Sequence, residues 1–535
     1  MRQSTLSVAL EVKPESYEYL SSLLNELREK RAPPQQGVTG KFAPFLASVP
    51  VLHFLSLSLF PGYEYDPLFV IEANFDGEPG PFWAQLEDAI GPELRHFLAC
   101  CKCPRDVLAP LFTAIIAPGS RAPIAPYLEA QSLVPTVYHH GNRGMTRQRI
   151  LDECALFEQV QSELTHNDAT YRKLDPLAVH HQLRTALAGQ FPWINTPPAP
   201  RISLWENSFD WLGLGAFVVA VSFILSIPGL LLSLILDPTY SFILLGFSLL
   251  LVAALFTRIS RRSSDNSEPT NVSLQNIAFK KPLFFYLIFY LATVSIVGSL
   301  FLMPIMGRVT AATLGDMLVW FIQGLLSIPF TLAAILFWLR SLEKTDSSLD
   351  APWVSPRFLR EMAQREDWIP QNHMGSVVLI KPGILRTILI RTGHLGLGLL
   401  LRATARDGYL GSMRTIHFAH WALVNNKSRL MFLSNFDQTW ESYLDDFIEK
   451  AHNGLSLAWS CGVGFPTTRY LILDGASQGR QFKEWARHSM AVSHFWFSAY
   501  PQLTTDQIER NYRIAFGLQT HGITKERAAQ WIKDL

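Results

Sequence analysis

Hydrophobic and polar positions alternate in three rhythms along this chain, and the rhythms divide it. Near the start, "STLSVALEVKP" alternates with the period of a strand, and "ESYEYLSSLLNELREK" then sets Tyr17, Leu20, Leu24 and Leu27 on one helical face. "VLHFLSLSLF" and "LFVIEANF" read as strands on either side of the turn "PGYEYDP". "PFWAQLEDAIG" reads as a second helix, and "LRHFLACCK" as a final strand or an exit from helix to strand. The order β-α-β-β-α-β is the split βαβ plan. In the middle stand four uncharged apolar runs, Trp211–Leu236, Tyr240–Phe256, Pro282–Met306 and Met317–Leu339. Each is near the ~20 residues a helix needs to cross ~30 Å of hydrocarbon.

The last part of the chain returns to the first rhythm. "SVVLIKPG" matches "ALEVKPES", and "YLGSMRTIHF" matches "FLASVPVLHF", pairing His53 with His417 and Phe54 with Phe418. "ANFD" matches "SNFD", which pairs Asn74, Phe75 and Asp76 with Asn435, Phe436 and Asp437. Beyond these, "VYHHGNRGMTRQRILDECALF" parallels "FWFSAYPQLTTDQIERNYRIAF", each read as a turn followed by an amphipathic helix. The expected layout is a repeat over 1–170, a linker over 171–210, a four-helix transmembrane region over 211–340, a linker over 341–370 and a second repeat over 371–535. The fold class is α+β plus membrane: two ferredoxin-like repeats forming a pseudo-dimer, separated by four transmembrane helices.

Charge orients this arrangement. The segment after the second apolar run holds Arg258, Arg261, Arg262, Lys280 and Lys281, whereas the turns "DPT" and "GRVTAATLGD" hold Arg308 between them. Lys/Arg bias puts the basic segment in the cytoplasm. Four crossings return the chain to its starting side, so both termini are expected there, where the repeats can meet. Over all 535 residues the net charge is +1, which argues against nucleic acid as a partner. Hydrophobic residues make up 48% and charged ones 17%, too apolar for a purely soluble chain and too polar for one that is nearly all membrane. Five cysteines, three of them in "CCKC", make no disulfide framework, and "MRQSTLSVALEVKPES" carries no long apolar stretch of a cleavable signal.

A ferredoxin-like unit leaves one sheet face uncovered, and two on one side of a membrane can cover each other. With its two such units, the chain resembles the dimeric α/β-barrel superfamily, in which ferredoxin-like units pair face to face. That superfamily includes small monooxygenases, chlorite-dismutase-like proteins and dye-decolorising haem peroxidases, alongside binding and regulatory modules. "NFDG" and "NFDQ" invite comparison with the peroxidases' Gly-x-x-Asp-Gly motif, whose Asp helps cleave peroxide; Ala73 and Ser434 stand where its first glycine would be. Asp76 and Asp437 are therefore candidates for catalysis, or for capping the helix that follows. His53 and His417 are candidates for a haem ligand or a base, or for buried hydrogen-bonded histidines. His420 lies three positions after His417, so strand alternation predicts opposite faces for the two.

Other strings carry less. "GASQG" (Gly475–Gly479) matches the nucleophile elbow Gly-x-Ser-x-Gly, but no hydrolase sheet fits around Ser477. "CCKC" lacks the second pair or neighbouring His of a zinc site, so no metal is expected. Two readings of function follow. One is an integral membrane protein whose cytoplasmic duplicated module binds a small or lipophilic ligand or a partner. The other is a membrane-tethered, haem-dependent oxidoreductase of peroxidase-like type.

Overall fold

In this computed structural model, residues 3–31, 48–62, 65–235, 238–263, 314–348, 370–404, 413–491 and 493–535 are described, together with a few isolated positions. The strands are β1 (Gln3–Glu11), β2 (Leu52–Phe60), β3 (Leu68–Asp76), β4 (Ser132–Leu133), β5 (Val137–His140), β6 (Gln371–Leu379), β7 (Ile416–Val424), β8 (Arg429–Asp437), β9 (Thr468–Arg469), β10 (Leu473–Asp474), β11 (Met490–Ala491) and β12 (Ser493–Ser498). They build two five-stranded antiparallel sheets, β4-β1-β3-β2-β12 and β11-β6-β8-β7-β5, beside the small β9–β10 hairpin.

Each sheet is completed by a strand from the other end of the chain. β12 pairs with β2, setting Ser498 opposite Phe54, and β5 pairs with β7, setting His140 opposite Phe418. The residue after each exchanged strand continues the ladder: Gly141 N donates to the His417 carbonyl at 2.8 Å and Ala499 N to the His53 carbonyl at 2.9 Å. Two buried glutamines tie down the turns that follow. Gln3 Nε2 donates to the Met145 carbonyl at 2.7 Å, and Gln371 Nε2 to the Tyr500 carbonyl at 3.1 Å. Val137–His140 and Phe495–Ser498, expected within turns, thus lie in the strands that join the halves.

Period-two alternation explains the layers. In the first sheet Leu6, Leu10, Leu55, Leu57, Phe69 and Ile71 face Leu20, Leu24, Phe82, Trp83 and Leu86 of helices Tyr17–Arg31 and Pro79–Ala99. In the second, Trp421, Phe432 and Phe436 pack against Tyr443, Phe447 and Trp459 of helix Trp440–Trp459. The remaining strand positions face the opposite sheet, and Phe60, Leu68 and Val70 meet Val377, Val424, Met431 and Leu433 there. The approach is close: a Cβ on Gly375 would lie 2.9 Å from the Phe60 ring.

"LRHFLACCK" does not become a strand. Helix Pro79–Ala99 continues through Pro92 after a kink at Ile90, because Leu94, Phe97 and Leu98 recur at helical spacing and bury against the sheet. In the expected linker, helix Pro176–Leu187 packs Val179, Leu183 and Leu187 against Leu156, Ile514 and Trp531.

The expected four transmembrane helices need correction. Three helices among the described residues are long and apolar enough to cross a membrane: Leu204–Ser233, Met317–Lys344 and Ile384–Thr404. The first two carry the first and fourth apolar runs. The second run lies in helix Pro238–Ser263, whose described apolar stretch, Phe242–Leu251, is short. The third run, Pro282–Met306, lies outside the described residues except for one position. Arg386, Arg391 and Arg402 interrupt Ile384–Thr404, so it contains no uncharged run of membrane length.

Because each sheet borrows an edge, residues 1–200 and 371–535 produced separately are expected to aggregate or self-associate, and to co-purify when produced together. Two monomeric, soluble halves that ignore each other on size-exclusion chromatography would contradict the strand exchange. Gly375→Leu, which drives side-chain atoms into Phe60, should lower stability by about 1–3 kcal/mol in denaturant titration.

Candidate functional site

His53 and His417 sit at matching irregularities. The β2–β3 register skips between Leu52 and Phe54, and the β7–β8 register skips between Ile416 and Phe418. Each histidine is the extra residue of a bulge, which re-aims its side chain. The bulge also breaks the alternation expected for His417 and His420. His417 packs against Phe54 with ring centroids 5.3 Å apart, and His420 Nε2 lies 2.6 Å from Ser7 Oγ, so both reach the first sheet.

Each bulge histidine meets the aspartate at the end of the neighbouring strand. His417 Nε2 is hydrogen-bonded to Asp437 Oδ1 at 2.8 Å. His53 Nε2 lies 3.1 Å from Asp76 Oδ1, an ion-pair distance without hydrogen-bond geometry, while its Nδ1 is 2.8 Å from the Tyr500 hydroxyl. The second carboxylate oxygen accepts a helix N-terminal amide in both places: Arg147 N to Asp76 and Thr505 N to Asp437, each at 2.8 Å. Negative charge there is favourable because the first amides of a helix lack partners within it. The two aspartates therefore hold helices Arg147–His166 and Thr505–Gln519. The helix directly after Asp437 is capped by Thr439, and Glu78 before Pro79–Ala99 makes no side-chain cap.

A second polar cluster lies between the sheets, centred on fully buried Glu72 of β3. Its carboxylate accepts from Ser56 Oγ at 3.0 Å, Asn74 Nδ2 at 3.1 Å and Asn435 Nδ2 at 3.0 Å, and Oε2 lies 2.7 Å from His373 Nε2. His373 Nδ1 reaches Ser493 Oγ at 2.5 Å, and Trp496 Nε1 donates to Asn435 Oδ1 at 2.8 Å. His420 Nδ1 stands 3.8 Å from Glu72 Oε1. Ser56, Glu72 and Asn74 belong to the first sheet, as do the exchanged Ser493 and Trp496, while His373, His420 and Asn435 belong to the second. Burial would raise the Glu72 carboxyl, but the facing His373 with its hydrogen bond, then His420 and Asn74, outweigh it and hold the pKa at about 2. Burial pushes His420 down to about 4 against the pull of Glu72.

This geometry limits the chemistry. Phe54, Phe418 and Tyr500 close around the two bulge histidines with centroids 5.3–6.0 Å apart. His53 Nε2 and His417 Nδ1 make no hydrogen bond, but both are buried among packed rings that leave no slot for a macrocycle beside either histidine. The residues present do not fit haem. Ser477 lies on an exposed turn and donates to the Asp474 carbonyl. Cys100, Cys101 and Cys461 are buried, and burial raises the Cys101 and Cys461 thiols far from thiolate character. Among the described residues, no group of three or more His, Cys, Asp or Glu could hold a metal ion.

Sequence reasoning singled out His53, His417, Asp76 and Asp437, and the structure brings each His–Asp pair together. It missed Glu72, His373 and Tyr500. A lone carboxylate inside "LFVIEANF", on the same face as Asn74, was a legible signal of a buried acid in need of partners. Nothing in "QNHMGSVVL" by itself identifies the partner of that acid.

Removing one side of the Glu72 cluster strands the rest: Glu72→Ala should cost roughly 3–5 kcal/mol in denaturant titration. His420 has a folded-state pKa below its unfolded value, so the unfolded chain takes up the proton first. Its stabilising contribution is present above about pH 6.5 and is lost as pH falls towards 4. Between pH 7 and pH 4 the wild type should therefore lose roughly 3 kcal/mol more than His420→Asn. Equal losses in the two proteins would contradict the buried neutral ring.

No family model, no curated protein and no solved structure matches the chain.

Proposed function

We propose that this chain is a multi-pass membrane protein whose two ferredoxin-like halves form a single-chain counterpart of the dimeric α/β barrel. The module binds a small lipophilic or amphiphilic ligand, or a partner, without catalysing a reaction. One observation carries this reading: the four side chains best placed for catalysis are buried, and both aspartates are engaged in holding helix N-termini. His53 and His417 are at most 2% exposed, Asp76 and Asp437 at most 6%, and each aspartate bridges a bulge to a helix N-terminus. A peroxidase-type aspartate must reach peroxide; these two face peptide amides.

The reciprocal strands support placing both ends of the chain on one side of the membrane, since β5 and β12 each complete a sheet begun by the other half. Together with the basic segment from Arg258 to Lys281, that side is the cytoplasm. For ligand entry, a recess lies where the end of helix Leu314–Lys344 meets the second sheet's helices. Leu339, Leu389, Ile390, Leu457 and Leu471 form its apolar wall, and Lys381 and Arg386 face Asp346 and Glu343 across its polar one. Asp346 lies 2.9 Å from Lys381 Nζ and 3.3 Å from Arg386 Nη2, and an anionic amphiphile entering from the bilayer would compete for those two cations. The recess itself encloses only about 30 Å³, so an amphiphile would dock there by its head, with the Asp346 ion pairs opening to admit it.

Full-length protein purified in mild detergent should show no Soret band and no peroxide-dependent dye oxidation. Mass spectrometry should find an anionic amphiphile carried by the wild type and lost in the Lys381→Ala/Arg386→Ala double variant. Stoichiometric haem, or a dye-oxidising activity abolished by Asp76→Asn, would replace this reading with the peroxidase-like one.

A further inference from the structure

Helix Ile384–Thr404 passes every test of length and apolarity for a membrane crossing, yet its contacts place it differently. Its inner face is part of the globular module. Leu385, Ile390, His394, Gly398 and Ala403 are buried. His394 Nδ1 lies 2.9 Å from Thr136 Oγ1, and its Nε2 lies 3.1 Å from the Ala458 carbonyl. A Cβ on Gly398 would lie 3.2 Å from the Thr136 carbonyl, just before β5. A helix crossing the bilayer cannot also cover a sheet outside it.

The two other apolar helices give the direction. Ser327 Oγ donates to the Ser226 carbonyl, and a Cβ on Gly229 would lie 2.4 Å from the Gln323 carbonyl. Moving forward along Leu204–Ile235 thus moves backward along Leu314–Lys344, so the pair is antiparallel. Gly213 is thirteen residues before Ser226 and Arg340 thirteen after Ser327, which sets both about 20 Å from that contact, at the same height. Helix Ile384–Thr404 touches both of them at this height. Its Gly396 packs on Phe217 and its Leu399 on Gly213. At its other end Arg386 Nη2 donates to the Leu342 carbonyl at 3.1 Å, and Leu389 and Ile390 share a recess with Leu339. The two contact regions are about ten residues, or about 15 Å, apart along its own axis. Neighbouring helix axes lie about 8–10 Å apart, so a helix touching both at one height over that length lies across the pair.

We propose that Ile384–Thr404 lies in the plane of the cytoplasmic membrane surface, with its outer face in the headgroup zone of the bilayer. That face carries Ile384, Ile388, Arg391 and Leu395, all exposed, at the spacing of a single helical stripe. Trp205, Phe209 and Leu212, towards the start of the neighbouring membrane helix, are exposed as well. An apolar stripe with one long cation that can extend to lipid phosphate is the pattern of an interfacial helix. The occupant is therefore lipid, and the surface docks the second sheet onto the membrane from which the chain emerges.

This rests on the membrane reading of the other two helices, and the test separates the two. Full-length protein with Cys103→Ser and Cys154→Ser is reconstituted in vesicles of phosphatidylcholine and phosphatidylglycerol. Nitroxides are placed singly at Ile384, Ile388 and Leu395, and at Ile224 and Phe330 as membrane controls, all exposed positions. Oxygen and nickel-chelate accessibilities then give depths. The expected result is one shallow depth for the three stripe positions, within about 5 Å of each other, and deep controls. A gradient of about 16 Å from Ile384 to Leu395 would mean a crossing helix and overturn the proposal. Water accessibility at all three positions with deep controls would overturn it while leaving the membrane reading intact; shallow controls would overturn both. Unsubstituted protein offers a second readout, since lipids with a headgroup diazirine should label the stripe and lipids with a chain-terminal diazirine should not.

Discussion

Each of β5 and β12 takes its ladder hydrogen bonds from a sheet that the other half of the chain begins. β12 runs along β2, some 440 residues earlier in the chain, and β5 along β7. Backbone amides of an edge strand buried in a core must find partners, and here those partners are available only if the halves come together. The exchange therefore fixes which faces meet and how closely they approach at Gly375 and Phe60.

Once the sheets are face to face, the layer between them sorts by chemistry along its length. At one end Phe60, Val70, Val424 and Met431 make a dry contact. At the other, the bulge histidines pair with aspartates that anchor two helices. In the middle Glu72 gathers donors from both sheets. That cluster is lopsided: where the first sheet has Glu72, the matching position of the second is Leu433, and where the second has His373 and His420 the first has Thr5 and Ser56. The asymmetry gives the two halves unlike contributions to one buried carboxylate–histidine hydrogen bond, so neither half can assemble it with a copy of itself.

The membrane connection depends on the same asymmetry. The first sheet is covered by Tyr17–Arg31, a helix rich in charged residues, whereas the second uses Ile384–Thr404, apolar around much of its circumference. Both cover a sheet, but the outer face of the first meets water. The second meets the roots of the membrane helices through Phe217 and Leu339 and needs a different surface. Arg143 strengthens that joint: it donates to the Arg402 carbonyl and forms ion pairs with Glu206 and Asp210 at the start of helix Leu204–Ile235.

The alternating patterns of β1, β2, β3, β7 and β8, the two helices that flank the first sheet and two of the membrane-length helices were determined by the sequence alone. Their signals are local: period two, period 3.6 and uncharged length report what one segment needs to bury. The pairing of His53 with Asp76 and of His417 with Asp437 was half legible, since matching positions marked the residues without showing that their partners were each other. Tertiary structure alone decided the rest. "VYHH" and "FWFS" are short enough to pass for turns, and only a distant sheet edge makes them strands. "LRHFLACCK" holds both helical and strand signals, and the helix wins because its Leu94–Leu98 face finds the sheet. Ile384–Thr404 has the composition of a crossing helix, and only its contacts at a single height turn it across the bundle. A local pattern specifies how much apolar surface a segment must hide; which neighbour hides it is settled by contacts hundreds of residues apart.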